Sequence, residues 1–224
     1  NIQLITIECL SLKLFKSRHP NVLLSGTIGN FDGLHLGHQA ILEKIKNNAQ
    51  KYNAKTIVFF SEPHAAEYFS KVRDKNQIPP PRICPWREKF QLLKKSKIDF
   101  ACFLKFNSKL RTMSPDDFIS QILDSINLVS FTVGDDFRFG ADRKGDTDLL
   151  KNWGEKKGIL VENTETITLD GQRVSSTRIR EELLNFQKIF KNIGSASILM
   201  DVNNGDILSL VSLPDFDINK RQTI

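Results

Sequence analysis

The segment Gly29-Asn30-Phe31-Asp32-Gly33-Leu34-His35-Leu36-Gly37-His38 restricts the fold of this chain more than any other. It follows the apolar run at 22–28 and opens an amphipathic stretch in which Ile41, Leu42 and Ile45 share one side. That order reads as a strand, a tight glycine turn and a helix, with two imidazoles where the helix begins. Backbone N–H groups at a helix N-terminus attract anions, each favourable charge there contributing ~0.3–1 kcal/mol. Histidines three residues apart lie on one helical face, so both can address a single phosphate group. A nucleotide polyphosphate is the ligand this turn predicts. The competing reading is an ordinary strand-to-helix turn with two exposed histidines.

The flanking pattern extends the same architecture. Apolar runs alternate with helical periodicity over 22–187, which predicts a parallel sheet of about five strands covered by helices. The strand candidates are 22–28, 55–60, 99–104, 128–133 and 158–161, and the helix candidates are 36–52, 85–95, 115–125, 146–157 and 177–187. The helix at 115 has a clear start: Ser114 can cap it, Pro115 suits its first position, and Asp116 and Asp117 complement the dipole. Ser176 precedes another helix and sets Ser and Thr hydroxyls at its mouth. The stretch 61–84 contains Pro63 and Pro79-Pro80-Pro81 with little periodicity, and reads as a long loop, a lid or an insertion. Neither a Walker-type phosphate loop nor a GxGxxG fingerprint is present. Phosphate binding therefore falls to the histidine turn and to the Ser-Thr-Arg helix.

Composition narrows the partners. With 40% hydrophobic and 26% charged residues in 224, the chain is expected to be soluble and globular. No apolar run approaches the ~18–20 residues of a membrane span, so no membrane partner is expected. Cys9, Cys84 and Cys102 are odd in number and far apart, which fits neither a zinc pattern nor a disulfide framework and favours a reducing, cytoplasmic setting. The net charge of +6 suits nucleotides. The lysines lie mostly on predicted helices, where a solvated face accounts for them, and no nucleic-acid partner is expected. Asp135, Asp136, Asp142 and Asp146 sit beside Arg138, Arg143 and Lys144, a pattern of local ion pairs rather than a dedicated metal site.

Four segments together resemble a known family. Gly29–His38 resembles the HxGH signature of the nucleotidyltransferase superfamily. Phe60-Ser61-Glu62-Pro63-His64 is similar to the second-strand loop of bacterial FAD synthetases, and Val133-Gly134-Asp135-Asp136-Phe137-Arg138-Phe139-Gly140 to their flavin-binding loop. Ser175-Ser176-Thr177-Arg178-Ile179-Arg180 resembles their SSTxIR motif. The resemblance implies a Rossmann-like α/β nucleotidyltransferase fold over 22–187, after a poorly defined segment at 1–21. It implies the FMN adenylyltransferase module of bifunctional riboflavin kinase/FAD synthetases, which turns FMN and ATP into FAD and pyrophosphate with Mg2+ on the ATP phosphates. By the same resemblance His35, His38 and Arg180 are catalytic. Gly29, Asn30, Phe31, Asp32, Ser175, Ser176 and Thr177 join them around ATP, while Pro63, His64, Gly134, Asp136, Phe137, Arg138, Phe139 and Gly140 border the flavin. No residue is assigned as a metal ligand. Two other readings stay open: a sibling transferase with the same turn, acting on pantetheine phosphate, nicotinate nucleotide or a cytidylyl acceptor, and a nucleotide- or flavin-binding fragment without turnover. The Val133–Gly140 loop argues against the siblings.

The chain departs from the family in two places. Ala65-Ala66 follow His64 where a further proline is usual, and the kinase module expected soon after Phe186 does not begin. A separate riboflavin kinase would then supply FMN. The tail at 188–224 reads instead as a β-hairpin, two apolar runs around Asn203-Asn204-Gly205-Asp206. With Asp215-Phe216-Asp217-Ile218-Asn219 it resembles the opening strands of the transpeptidase domain of penicillin-binding proteins. No Ser-x-x-Lys motif follows, so no acyl transfer is expected, and the tail reads as a chimeric fragment packed poorly on the main domain.

Overall fold

The computed structural model describes residues 7–73, 79–190, 195–200 and 207–213. Its elements run β1 (Glu8–Ser11), α1 (Leu12–Arg18), β2 (Leu23–Ile28), α2 (Leu36–Lys51), β3 (Lys55–Glu62), α3 (Ala65–Arg73), α4 (Trp86–Lys95), β4 (Phe100–Lys105), α5 (Ser108–Thr112) and α6 (Pro115–Gln121). They continue with β5 (Asn127–Gly134), α7 (Thr147–Lys157), β6 (Leu160–Thr164), β7 (Thr168–Leu169), β8 (Gln172–Arg173), α8 (Ser176–Phe190), β9 (Ser195–Met200) and β10 (Ile207–Leu213). Six strands form one parallel sheet in the order β1-β4-β3-β2-β5-β6. The α/β fold is the one the alternating pattern predicts.

Strands buried on both faces need apolar residues at nearly every position, and β3 meets this with Ile57, Val58, Phe59 and Phe60. One face carries Leu24, Ile57, Phe59, Cys102, Phe131 and Val133 against Phe15, Phe118 and Trp153. The other carries Val58, Phe60 and Ala101 against Ile41, Leu42 and Ile45 of α2 and Leu93 of α4. Gly26 sits between β3 and β5, where a Cβ would come within 2.9 Å of Leu128 and 3.2 Å of Ile57. A side chain there would crowd both neighbouring strands and force Leu128 to shift.

The cap expected at Ser114 holds: it accepts a hydrogen bond from the Asp117 N–H at 3.0 Å. Asp146, read as the first helical residue, instead caps α7, accepting from the Leu149 N–H at 2.9 Å. Gly158 ends α7 with φ of 68°.

Several features differ from the sequence reading, besides the short elements α1, α5, β7 and β8 that it did not give. A sixth strand, β1, pairs with β4 at the sheet edge, drawn from the segment expected to be poorly defined. Four residues are too few to show a period, so only the partner strand reveals it. The stretch 61–84 is not wholly a loop: β3 runs on to Glu62 and α3 follows. The helix predicted at 115–125 stops at Gln121, and a 3-10 turn at Leu123–Ser125 completes the path. Finally α8 begins at Ser176, one residue early, because Ser175 is its cap, accepting from the Arg178 N–H at 3.2 Å.

Strands β9 and β10 pair antiparallel from Ser195↔Leu213 to Met200↔Ile207, as the hairpin pattern predicts. The turn Asn203-Asn204-Gly205-Asp206 and the stretch 215–219 lie outside the described residues. Among the described residues no helix is long and apolar enough to cross a membrane.

Candidate active site

The chain leaving the carboxyl ends of β2 and β3 lines one crevice through Asn30, Asp32 and His64, the usual ligand position in parallel α/β sheets. The histidine turn leaves β2 there. Gly29 extends the ladder by one bond, its N–H donating to the Phe59 carbonyl at 3.0 Å. The chain then reverses through Phe31 (φ 47°), Gly33 (φ 87°) and Leu34 (φ 36°). A positive φ is unfavourable for Phe and Leu. Burial of both side chains in the α2-side core holds the turn in that shape.

His35 is the residue before α2, and His38 lies one turn in. Their rings stack with centroids 3.7 Å apart, and His38 rests on Phe31 at 4.9 Å. Both Nδ1 atoms are buried without a partner. Burial pushes the His35 pKa down to about 4, with Arg173 adding to the drop and Asp32 opposing it. Burial, then His35 and Lys89, hold His38 well below its ordinary value. Both rings are therefore neutral near pH 7, each with one N–H donor and one acceptor nitrogen. They offer hydrogen bonds to a phosphate, not charge.

Asp32 joins the turn to the rest of the site. Its carboxylate, 2% exposed, accepts from the N–H groups of Ile83 at 3.2 Å and Cys84 at 2.8 Å, and from the Arg180 guanidinium. Its backbone carbonyl accepts from the Ser176 hydroxyl at 2.7 Å. Arg180 also donates through Nε to the Pro81 carbonyl at 2.8 Å. Three segments far apart in sequence thus meet at one side chain, and the histidine turn and the mouth of α8 share one crevice. Arg180 is engaged rather than free.

Beside this junction lies a cavity of about 240 Å³ lined by Asn30, Asp32, His64, Ala66, Glu67, Pro80, Arg82, Thr177 and Arg180. His35 and His38 are not on its wall. His64 is buried with its Nε2 unpartnered, and burial, then the charges of Lys89 and Arg82, lower its pKa against the pull of Asp32 and Glu67. The Glu67 carboxylate accepts from Arg82 at 2.5 Å, and Arg82 also donates to Glu62 at 2.7 Å. Burial raises the Glu67 pKa, but the hydrogen bond and charge of Arg82 outweigh it, so the net shift is downward. The guanidinium of Arg82 is held still more firmly protonated by its two carboxylates.

The loop after β5 divides into support and surface. Phe139 is buried against Phe118 and bridges to Gly145 through N···O contacts of 3.1 and 2.9 Å. Phe137 stacks on Phe139 at 5.7 Å, and Gly134 accepts the Phe137 N–H at 3.1 Å to close the turn. Asp136 is exposed and pairs with Arg173 at 2.9 Å, and Arg138 pairs with Asp146 at 3.7 Å. The acidic run is thus ion-paired. Asp135 pairs with Arg173 rather than with the basic neighbours expected from sequence. Among the described residues no three carboxylate, imidazole or thiol groups gather where they could hold a metal ion.

Sequence reasoning missed Arg82, Glu67 and Lys89. Arg82 and Glu67 lay in a stretch read as loop. Lys89 was grouped with the surface lysines, although it shares a helical face with Leu93, four residues on, and that spacing marked it as inward-facing. Cys84 lies against the site, but burial pushes its thiol pKa up to about 12, so it is no nucleophile.

A sequence profile described as FAD synthetase matches residues 18–178. A bifunctional riboflavin kinase/FMN adenylyltransferase from Haemophilus influenzae is 37% identical over 179 residues, 78% of this chain and 56% of that protein. Those of Pseudomonas fluorescens and Escherichia coli strain K12 are 39% and 38% identical over 158 residues, 70% of this chain and 49% of each. This chain therefore spans about half the length of the curated relatives it matches. The solved structure of a macrolide-efflux protein from Streptococcus pneumoniae superimposes with a TM-score of 0.67, at 22% identity, over 88% of this chain and 66% of that one, which establishes a common fold. With the profile covering most of the chain and three relatives well above 30% identity, this chain belongs to the FAD synthetase family.

Proposed function

We propose that this chain transfers AMP from ATP to FMN, releasing pyrophosphate and forming FAD. The observation that carries the reading is the junction at Asp32, which brings the histidine turn and the Ser176 helix mouth to one crevice at the end of a parallel sheet. The chemistry suits the residues. An ionised phosphate oxygen of FMN attacks the α-phosphorus of ATP, and the bond from that phosphorus to the bridging oxygen breaks. The FMN phosphate needs no general base, so alignment and charge stabilisation supply the rate.

In this reading Gly29, Asn30, Phe31 and Asp32 shape the turn, and neutral His35 and His38 donate to the ATP phosphates. Ser175 caps the helix whose Ser176 and Thr177 meet the β- and γ-phosphates, and Arg180 leaves Asp32 to neutralise departing pyrophosphate. Magnesium enters on the nucleotide as part of the substrate. On the other side Pro63, His64, Gly134, Asp136, Phe137 and Arg138 border the flavin, with Phe139 and Gly140 supporting the loop from within.

The test is incubation with ATP, magnesium and FMN followed by chromatography for FAD. FAD formation that falls about 10²–10³-fold in His38→Ala supports the assignment. No FAD, with flavin still bound, favours a binding module, and turnover of another phosphorylated acceptor in place of FMN would reassign the substrate.

A further inference from the structure

Among the described residues Lys89 is the only lysine in the interior, 1% exposed. A buried ammonium costs several kcal/mol unless it is compensated, so a lysine there needs a reason that leucine or methionine would not meet. Its Nζ donates to the Asn30 carbonyl at 2.7 Å and lies 5.7 Å from the centroid of the Phe60 ring. Lys89 is in the first turn of α4, directly after the segment whose Ile83 and Cys84 N–H groups hold Asp32. One stretch, 83–89, therefore grips the histidine turn on either side of Phe31, at the Asn30 carbonyl and at the Asp32 carboxylate.

A peptide unit is planar and trans, so its carbonyl and N–H point in opposite directions. Fixing the Asn30 carbonyl on Lys89 turns the Phe31 N–H away from the ammonium and locks that peptide plane between β2 and the helix mouth.

On the adenylyl-transfer reading, we propose that Lys89 is a positioning residue for ATP: it touches no substrate, but sets the Asn30–Phe31 peptide of the phosphate-facing turn. Its charge acts on both partners of the site, opposing protonation of His38 and His64 and offsetting the Asp32 carboxylate. Its hydrogen bond is to the histidine turn, so the positioning effect falls on the nucleotide side.

The test compares Lys89→Met, similar in length but without donor or charge, with wild type for magnesium-ATP binding by calorimetry, FMN binding by flavin fluorescence, and turnover. Expected is a loss of ATP affinity and of kcat/KM for ATP of about tenfold or more, the scale of one charge-assisted hydrogen bond, while FMN affinity holds within about twofold. Unchanged ATP binding in a folded Lys89→Met chain overturns the proposal, and so does an equal loss for ATP and FMN, the mark of a merely structural residue. If Lys89→Met does not fold, Lys89→Arg and Lys89→Gln decide: Arg must bind ATP about tenfold better than Gln, and equal affinities overturn the proposal. The binding arms need no FAD formation, so failure of the adenylyl-transfer reading shows separately, as absent turnover with the ATP split intact.

Discussion

Replacing Asp32 by Asn should be among the costliest single changes in this chain. The amide nearly conserves the shape of the carboxylate but removes its charge and puts an NH2 donor where one oxygen now accepts. Oδ2 receives both the Ile83 N–H and Arg180, and Oδ1 receives the Cys84 N–H, so at least one buried donor is left without an acceptor. The Arg180 side chain, 18% exposed, is then largely buried without its counter-charge. Breaking a buried pair from one side costs about 3–5 kcal/mol. For a domain of this size, each kcal/mol moves Tm by about 2–4 °C, so a fall of roughly 6–20 °C is expected. Thermal and urea unfolding of Asp32→Asn, Arg180→Met and the double variant would measure it. Asp32 keeps its two backbone donors when Arg180 is removed, so Arg180→Met should cost less than Asp32→Asn. The double variant should fall short of the sum by at least about 1 kcal/mol, as for residues in direct contact. Additive losses, or a cost for Asp32→Asn below about 1 kcal/mol, would refute Asp32 as the junction of the three segments.

Acid should destabilise the fold through His35. The folded His35 pKa of about 4 lies below the ordinary 6.5, so the unfolded chain binds more protons between those values. Stability is complete above about pH 6.5 and falls by roughly 3 kcal/mol towards pH 4, and Glu67, depressed by Arg82, adds loss below its ordinary range. Urea midpoints that do not change between pH 7 and pH 5, or an unaltered slope in His35→Gln, would sink this. Gly140→Ala should cost about 1–3 kcal/mol, because φ is 72° and the new Cβ would lie 2.8 Å from the Pro115 nitrogen; wild-type thermal stability in that variant would contradict it. The hairpin of β9 and β10 pairs with no strand of the main sheet among the described residues, and isolated hairpins are marginal in water. Limited proteolysis should cut the tail well before the six-stranded domain, and equal resistance would count against it.

The periodic pattern alone determined the parallel α/β architecture, because long central strands and amphipathic helices write their burial into residue order. The cap at Ser114 was legible for the same reason: a cap is a contact between residues three apart. The histidine turn was legible as a strand, a tight turn and a helix start, and the structure has that order. What sequence could not fix was everything joined across long separations. The edge strand β1 exists only because β4 offers it a partner. Arg180 looked like a free phosphate ligand, and tertiary structure gave it to Asp32, 148 positions away. Lys89 looked like one more surface lysine until the fold placed the Asn30 carbonyl within 2.7 Å of it. Local hydrogen bonds and hydrophobic period are properties of neighbouring residues, whereas the partner of a buried charge is chosen by the packed chain as a whole.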